Sequence, residues 1–508
     1  MSLAAIGGRL PRAAFGAALI FGLATGCMTL EQPLRSHVES GPAAAKDCAS
    51  WFTALDETVE RAGVRDAGAY RLPGFPYLRL DRFLASFRDE AKRNEAAFAA
   101  WVARLQELDA AARAYELANL PGEFLDALQV TGRAQAQAKT ARCATELARD
   151  DLASPSGREL LFARAQVPDD YAGWKRALGI YPLSSIPFRM GVRGWERRAI
   201  AMFRRDRTDE AGPGELMRYE PAGTAAGPEQ IATLVARSRA DALGILRFSA
   251  ADHEALLKAY APVFEIDATG DYDRFGALAW REGPSPEVDA SEPVAYGRVA
   301  YTRYRNKTLL QLVYTIWFPE RPPDGALDLL AGRLDGVVLR VTLDASGRPL
   351  VYDTIHPCGC FHMFFPTARV RTLPAPGPHI EWAFAPVTLP SLAPAQRIAL
   401  RIESRTHYVI DVRADGSGGG SSYRLADDDT LRALPTPDGG TRSAFGPDGV
   451  VPGTERAERF LFWPMGIDNP GAMRQWGRQA TAFVGRRHFD DADLIERRFE
   501  ILADGVAP

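Results

Sequence analysis

Several things are scarce in this 508-residue chain, and each scarcity excludes something. Beyond the first two dozen residues no stretch approaches 18 uninterrupted apolar residues, so no later membrane-spanning helix is expected. There is no excess of positive charge: the formal net charge is −3, which gives a nucleic acid nothing to bind. Lysine is nearly missing, at 6 of 61 basic residues, so a local run of arginines carries less weight here than usual. The familiar catalytic signatures are absent as well. No G-x-S-x-G, H-E-x-x-H, Walker A or dinucleotide fingerprint occurs, and there is no internal repeat. Only five cysteines and seven histidines are present.

Two of each fall in one heptapeptide, His356-Pro357-Cys358-Gly359-Cys360-Phe361-His362. Thiolate and imidazole serve soft-metal ligation, thiol–disulfide exchange and nucleophilic attack, so this cluster marks a candidate site. His379 and His407 follow within the same region and extend the candidate metal set to His356, Cys358, Cys360, His362, His379 and His407. Copper or zinc are the metals such donors suit.

The N-terminus has the layout of a targeting segment. Arg9 and Arg12 form a positive region, residues 13–24 are a short apolar stretch, and Ala24-Thr25-Gly26-Cys27 follows. This end resembles the lipobox of bacterial lipoproteins, with Ala24 where Leu is usual and Leu23 one place earlier. The resemblance covers the signal region alone. It implies cleavage after residue 26, a lipid thioether on Cys27, and anchoring by acyl chains such as palmitate. Met28 in place of Asp resembles the outer-membrane sorting class, which implies the periplasmic face of the outer membrane. No Arg-Arg pair stands in the signal, so general secretion is expected over the twin-arginine route.

The remaining organisation is read from periodicity. Residues 27–46 look like a polar tether, and 47–210 like a helical domain. Within it, Asp47 is placed to cap a helix through Trp51, Leu55 and Val59. Apolar residues at three- and four-residue steps predict a long helix over 79–119, and Pro121 opens another to about residue 149. Short helices are expected at 169–178 and 194–205. The arginine-rich stretch 188–207 suggests either a helix with one core face and one solvated face, or a face pressed against acidic lipid. Residues 211–261 look like a linker with short helices. From 262 to 430 the pattern is β: strands are expected at 294–304, 308–318, 336–344, 349–356, 380–387, 398–404 and 408–412. Residues 431–508 form a C-terminal extension with a helix at 471–483, its aromatics packing on the β domain. The expected class is thus α+β: an N-terminal helical bundle followed by an antiparallel β-rich domain, sandwich or barrel-like.

With Cys27 carrying lipid, four cysteines remain in an oxidising compartment, and three pairings are open. The preferred one joins Cys48 to Cys143 and leaves Cys358 and Cys360 reactive or locally bridged. On a straight strand the four heptapeptide donors would span about 20 Å at roughly 3.3 Å per residue, too far for one ion with bonds of about 2.3 Å. Only a bend at Gly359 could gather a subset. Four readings follow: a transition-metal site, a redox pair, a Cys/His nucleophile with Cys358 or Cys360 as catalytic candidate, and a purely structural cluster. The structural case makes the chain an envelope scaffold with a protein partner. L,D-transpeptidases place Gly between the His and the Cys, and an Arg two residues after the Cys; this heptapeptide has neither.

Overall fold

A computed structural model describes residues 31–205, 214–325, 327–377, 380–416 and 418–502. The signal segment, Cys27 and His379 lie outside the described residues. The class is mixed α and β, as expected: an N-terminal layer of helices followed by a large, nearly closed ten-stranded sheet.

The expected tether is largely folded. Leu34–Ser40 and Ala43–Ala62 are helices. Leu34 is buried, His37 Nε2 lies 2.5 Å from Asp151, and Glu31 pairs with Arg164 at 2.7 Å. The second helix buries Cys48, Trp51, Phe52, Leu55 and Val59, one face at helical spacing, and stops at Gly63, whose φ of 65° suits glycine. Asp47 lies inside this helix and is not its cap; it faces Lys139 and Arg142 at 3.5 and 3.4 Å.

The helical layer is not a simple bundle. The long helix expected over 79–119 is divided. Tyr70–Leu72 and Phe75–Leu80 form a hairpin whose second strand is buried at all six positions. Asp81 then caps Arg82–Ala85, Arg88–Arg93 follows, and Asn94 caps Glu95–Asn119 by accepting from the amides of Ala96 and Ala97. The expected helix from Pro121 is likewise two, Gly122–Ala127 and Arg133–Ala153. Arg79, at the end of the hairpin, is fully buried and pairs with Asp109 at 3.1 Å and Glu116 at 2.7 Å. Cys48 and Cys143 are bonded, tying Ala43–Ala62 to Arg133–Ala153.

The sheet is mixed where an antiparallel one was expected. Five strands run antiparallel in the order Met363–Pro366, Pro349–Ile355, Gly332–Leu343, Lys307–Arg321, Val294–Tyr304. Ser421–Asp427 then pairs in parallel with both Val294–Tyr304 and Glu215–Pro221. Val263–Ala268 joins Glu215–Pro221 antiparallel and Ile398–Ile402 parallel, and Val409–Ala414 closes the order. The parallel joints arise because Ser421–Asp427 returns between strands that lie far earlier in the chain. Glu215–Pro221 comes from the stretch read as linker, which also holds the helices Pro228–Arg237 and Ala250–Tyr260. The strand expected at 380–387 makes no ladder, and the helix expected at 471–483 is irregular chain crossed by isolated bridges. The expected 194–205 helix belongs to a longer one, Tyr181–Phe203, and the one expected at 169–178 begins at Gly173.

Helices and sheet are fastened to each other. Phe83 stacks on Tyr301 with centroids 5.7 Å apart, and Arg432 reaches Asp66 at 2.7 Å. Late in the chain, Phe489 packs with Val313, Val338 and Ile355 against the sheet.

Candidate functional site

The heptapeptide is the loop of a tight hairpin, not the end of a straight strand. It joins Pro349–Ile355 to Met363–Pro366, which pair antiparallel. The Gly359 amide donates to the His356 carbonyl at 2.7 Å, and the His356 amide to the Cys360 carbonyl at 3.0 Å. Gly359 takes φ 93° and Phe361 φ 60°. An ideal Cβ on Gly359 would stand 2.4 Å from the Ala480 carbonyl oxygen, so both the turn and the close approach require glycine. The bend at Gly359 expected from the sequence is therefore present. Around it the Cys360 amide meets Cys358 Sγ, while the two histidines reach different carboxylates, Asp335 and Asp353.

Cys358 and Cys360 are both free, Cys358 buried and Cys360 half-buried. The Cys360 amide donates to Cys358 Sγ at 3.4 Å. The Cys358 thiol as hydrogen-bond partner, together with burial, holds the Cys360 thiol well above its ordinary range. A thiol kept protonated is a poor nucleophile, which weighs against the Cys/His enzyme reading in this state.

Each histidine is held by a carboxylate. His362 Nε2 lies 2.9 Å from Asp353 Oδ2, and Arg340 grips the same carboxylate at 2.6 and 3.0 Å. Burial pushes His362 down to about 3, so the ring is neutral. Its Nδ1 is buried without a hydrogen-bond partner. His356 and His407 place their Nδ1 atoms 3.0 Å from the two oxygens of Asp335. His407 also lies 3.4 Å from Asp273 and stacks flat on Phe318. Burial lowers His356; it would lower His407 too, but the carboxylates of Asp273 and Asp335 beside that ring outweigh burial and raise it.

The described members of the metal set suggested by the sequence do not converge. No three of His356, Cys358, Cys360, His362 and His407 bring ligand atoms within 4.8 Å of one another. The one such group among the described residues is Asp47, Cys48 and Cys143, whose sulfurs are spent in the disulfide. What the structure brings together is a cavity of about 410 Å³, within the range of small-molecule sites. One wall is the Tyr181–Phe203 helix, through Phe188, Gly191 and Trp195; the opposite side carries Cys358, Cys360, Phe361 and His362. Phe384, Phe462 and Phe483 complete a lining that is mostly apolar. Trp195 holds the wall by ring contacts to Phe361 and Phe384 at 5.5 and 5.2 Å.

No family model, curated protein or solved structure matches this chain.

The cavity has few polar groups. Arg487 is spent on the carbonyls of Trp382 and Thr481 at 2.8 and 2.7 Å, and Glu381 accepts from the amides of Phe483 and Val484, both at 2.8 Å. Glu458 is different. It is 2 % exposed, and its carboxylate makes no hydrogen bond or ion pair among the described residues. Burial pushes it up to about 7, against the pull of Arg456 and Arg321. It presses on Gly471, where an ideal Cβ would meet its Oε1 at 1.8 Å. An apolar cavity with two thiols, a neutral imidazole nitrogen and a carboxyl poised near neutrality can seat a largely apolar molecule with one polar end. Sequence reasoning missed Asp335, Asp353, Glu458 and Trp195. Asp353 alone carried a local signal, as a lone acid in the apolar run of Pro349–Ile355.

Proposed function

We propose that this protein is a lipid-anchored component of the bacterial envelope, held at the periplasmic face of the outer membrane, that takes an acyl chain or similarly apolar ligand into the cavity beside the Cys358–Cys360 loop. The observation that carries the ligand reading is the cavity of about 410 Å³, enclosed by aromatic side chains and crossed by few polar groups. The lipobox-like Ala24-Thr25-Gly26-Cys27 supports the location. No helix of the described residues is long and apolar enough to cross a membrane; on this reading the lipid on Cys27 is the anchor.

The test is titration of the purified protein with a fluorescent fatty acid, beside a Gly191→Phe variant. Gly191 lines the cavity, and a Cβ there meets nothing within 4 Å, so the new ring enters the cavity without a backbone clash. Saturable binding that weakens about tenfold or more in the variant, at unchanged melting temperature, supports the reading. No binding, or equal binding by both proteins, overturns it.

A copper or zinc ion on the same loop is the second reading. Two observations favour it: the paired free sulfurs, and the unpartnered Nδ1 of His362 in the same cavity. The ligands would then come from Cys358, Cys360 and His362, with the loop closing on the ion. His356 and His407 hold Asp335 through Nδ1 and leave Nε2 without a hydrogen-bond partner, so they are further donors to such an ion if the loop closes on them. Metal analysis of the purified protein beside a Cys358→Ser/Cys360→Ser variant decides it: stoichiometric metal lost in the variant supports the site, and metal-free wild type sinks it.

A further inference from the structure

Exposed large apolar side chains are concentrated on one part of this molecule. Among the described residues there are thirteen, and nine of them fall within residues 174–190 and 460–463. Scattered single residues would need no explanation, but a cluster does. The two segments touch: the rings of Phe188 and Phe462 are 5.1 Å apart, edge to face. Leu183, Ile186 and Met190 are 64 %, 43 % and 68 % exposed, and Phe460 and Leu461 are 73 % and 54 % exposed.

The Tyr181–Phe203 helix adds a second feature. Positions three, four and seven apart share a helix face. The outward stripe begins with Leu183, Ile186 and Met190 and continues, on the same face, with the exposed Arg193, Arg197 and Arg204. The stripe is apolar in its first half and basic in its second. The one acid of the helix, Glu196, turns instead to the cavity wall. Pro187 and Leu461 are exposed and also line the cavity, so this surface surrounds its mouth.

We infer that this face, the outer stripe of Tyr181–Phe203 with the neighbouring Phe460–Trp463, docks on an anionic phospholipid bilayer and brings the cavity mouth to the lipid. A bilayer offers both halves of the match: an acyl boundary for Leu183, Met190 and Phe460, and anionic headgroups for the arginines. The docking rests on the ligand reading above only for its purpose, since a mouth pressed on a bilayer can take an acyl chain directly.

The test is flotation of the purified chain of residues 28–508, which carries neither the apolar signal segment nor an acyl anchor, with vesicles of phosphatidylcholine alone or mixed with phosphatidylglycerol. Binding is expected to rise about tenfold or more with phosphatidylglycerol and to fall with salt. Arg197→Glu/Arg204→Glu should abolish that gain. Leu183→Asp/Met190→Asp should abolish binding to both vesicles, with Phe460→Ser as a milder check if its melting temperature drops. A wild-type chain that does not float overturns the docking, and so do variants that float as the wild type does. The same holds if a protein, not lipid, is captured on this face while vesicles are ignored. Fatty-acid binding without vesicles separates the two proposals. Docking variants that bind fatty acid normally but no longer float leave the ligand reading standing, and flotation without fatty-acid binding sinks the ligand reading alone.

Discussion

His356 and His407 share one carboxylate: each places Nδ1 3.0 Å from a different oxygen of Asp335. Arg456 stands 3.5 Å from the same group. Asp335 thus joins the strand Gly332–Leu343, the thiol loop and the turn before Val409–Ala414, and it is fully buried. Breaking a buried charged contact by removing one partner leaves the others uncompensated. Asp335→Asn is expected to cost about 3–5 kcal/mol in urea unfolding. A loss below about 1 kcal/mol would show that the network does not hold the loop.

His362 should oppose the fold in mild acid. His362 is held neutral at about 3 by burial, while an unfolded histidine titrates near 6.5. Between those values the unfolded chain binds a proton that the folded chain refuses. The contribution of this residue is therefore full above about 6.5 and falls as pH drops towards 3, by about 1.4 kcal/mol per pH unit. His356 acts in the same direction, the Glu458 carboxyl, raised to about 7, acts against it across this window, and His407, raised in the fold, adds its own pH dependence only above about 6.5. Between pH 6.5 and 4.5 the unfolding free energy of His362→Gln should fall less, or rise more, than that of the wild type, and parallel pH profiles would show that His362 is not held neutral.

The Cys48–Cys143 bond closes a loop across 95 residues of sequence. A crosslink of that span restricts the unfolded chain, and its loss is expected to cost roughly 2–5 kcal/mol. Comparing Cys48→Ala/Cys143→Ala with wild type in guanidinium measures it. Equal stability would mean that the helical layer holds together through its ionic core alone.

Thiol labelling reads the loop directly. After denaturation without reductant, two thiols besides Cys27 should react, because Cys358 and Cys360 are unpaired. In the native protein Cys360 should react before Cys358, which is only 4 % exposed. Cys360 should itself react slowly, since its thiol is held protonated, and burial should make Cys358 slower still. A fatty acid in the cavity should slow Cys360 further. Protein that shows neither thiol until reduced would place a bond between them.

Much of the architecture is legible in the sequence, for identifiable reasons. The apolar spacing from Cys48 to Val59 reports a real helix face, and the continuous run within Lys307–Arg321 reports a central strand. The stretch 75–94 misleads because a fully buried strand lacks alternation and runs into a capped helix, which mimics one long helical pattern. Strand Glu215–Pro221 hides among glycine and proline because its pairing partners lie about 45 and 200 residues further along. The location of the site is legible because thiols and imidazoles are rare in this chain. Its chemistry is not, because Asp335 and Asp353 divert the histidines, and Glu458 and the Tyr181–Phe203 helix arrive from distant segments with no local mark.

The early chain has almost no slack. Glu31 is bound to Arg164 and Leu34 is buried, so the polypeptide is fastened to the body from residue 31 onward. Four peptide steps separate Glu31 from Cys27, and covalent geometry limits them to about 14 Å. A lipid on Cys27 would hold the body on that short a mooring. Its search volume would be a thin slab at the bilayer surface, so whatever it meets must come to that surface, and no swing across the envelope could bring it to a distant partner.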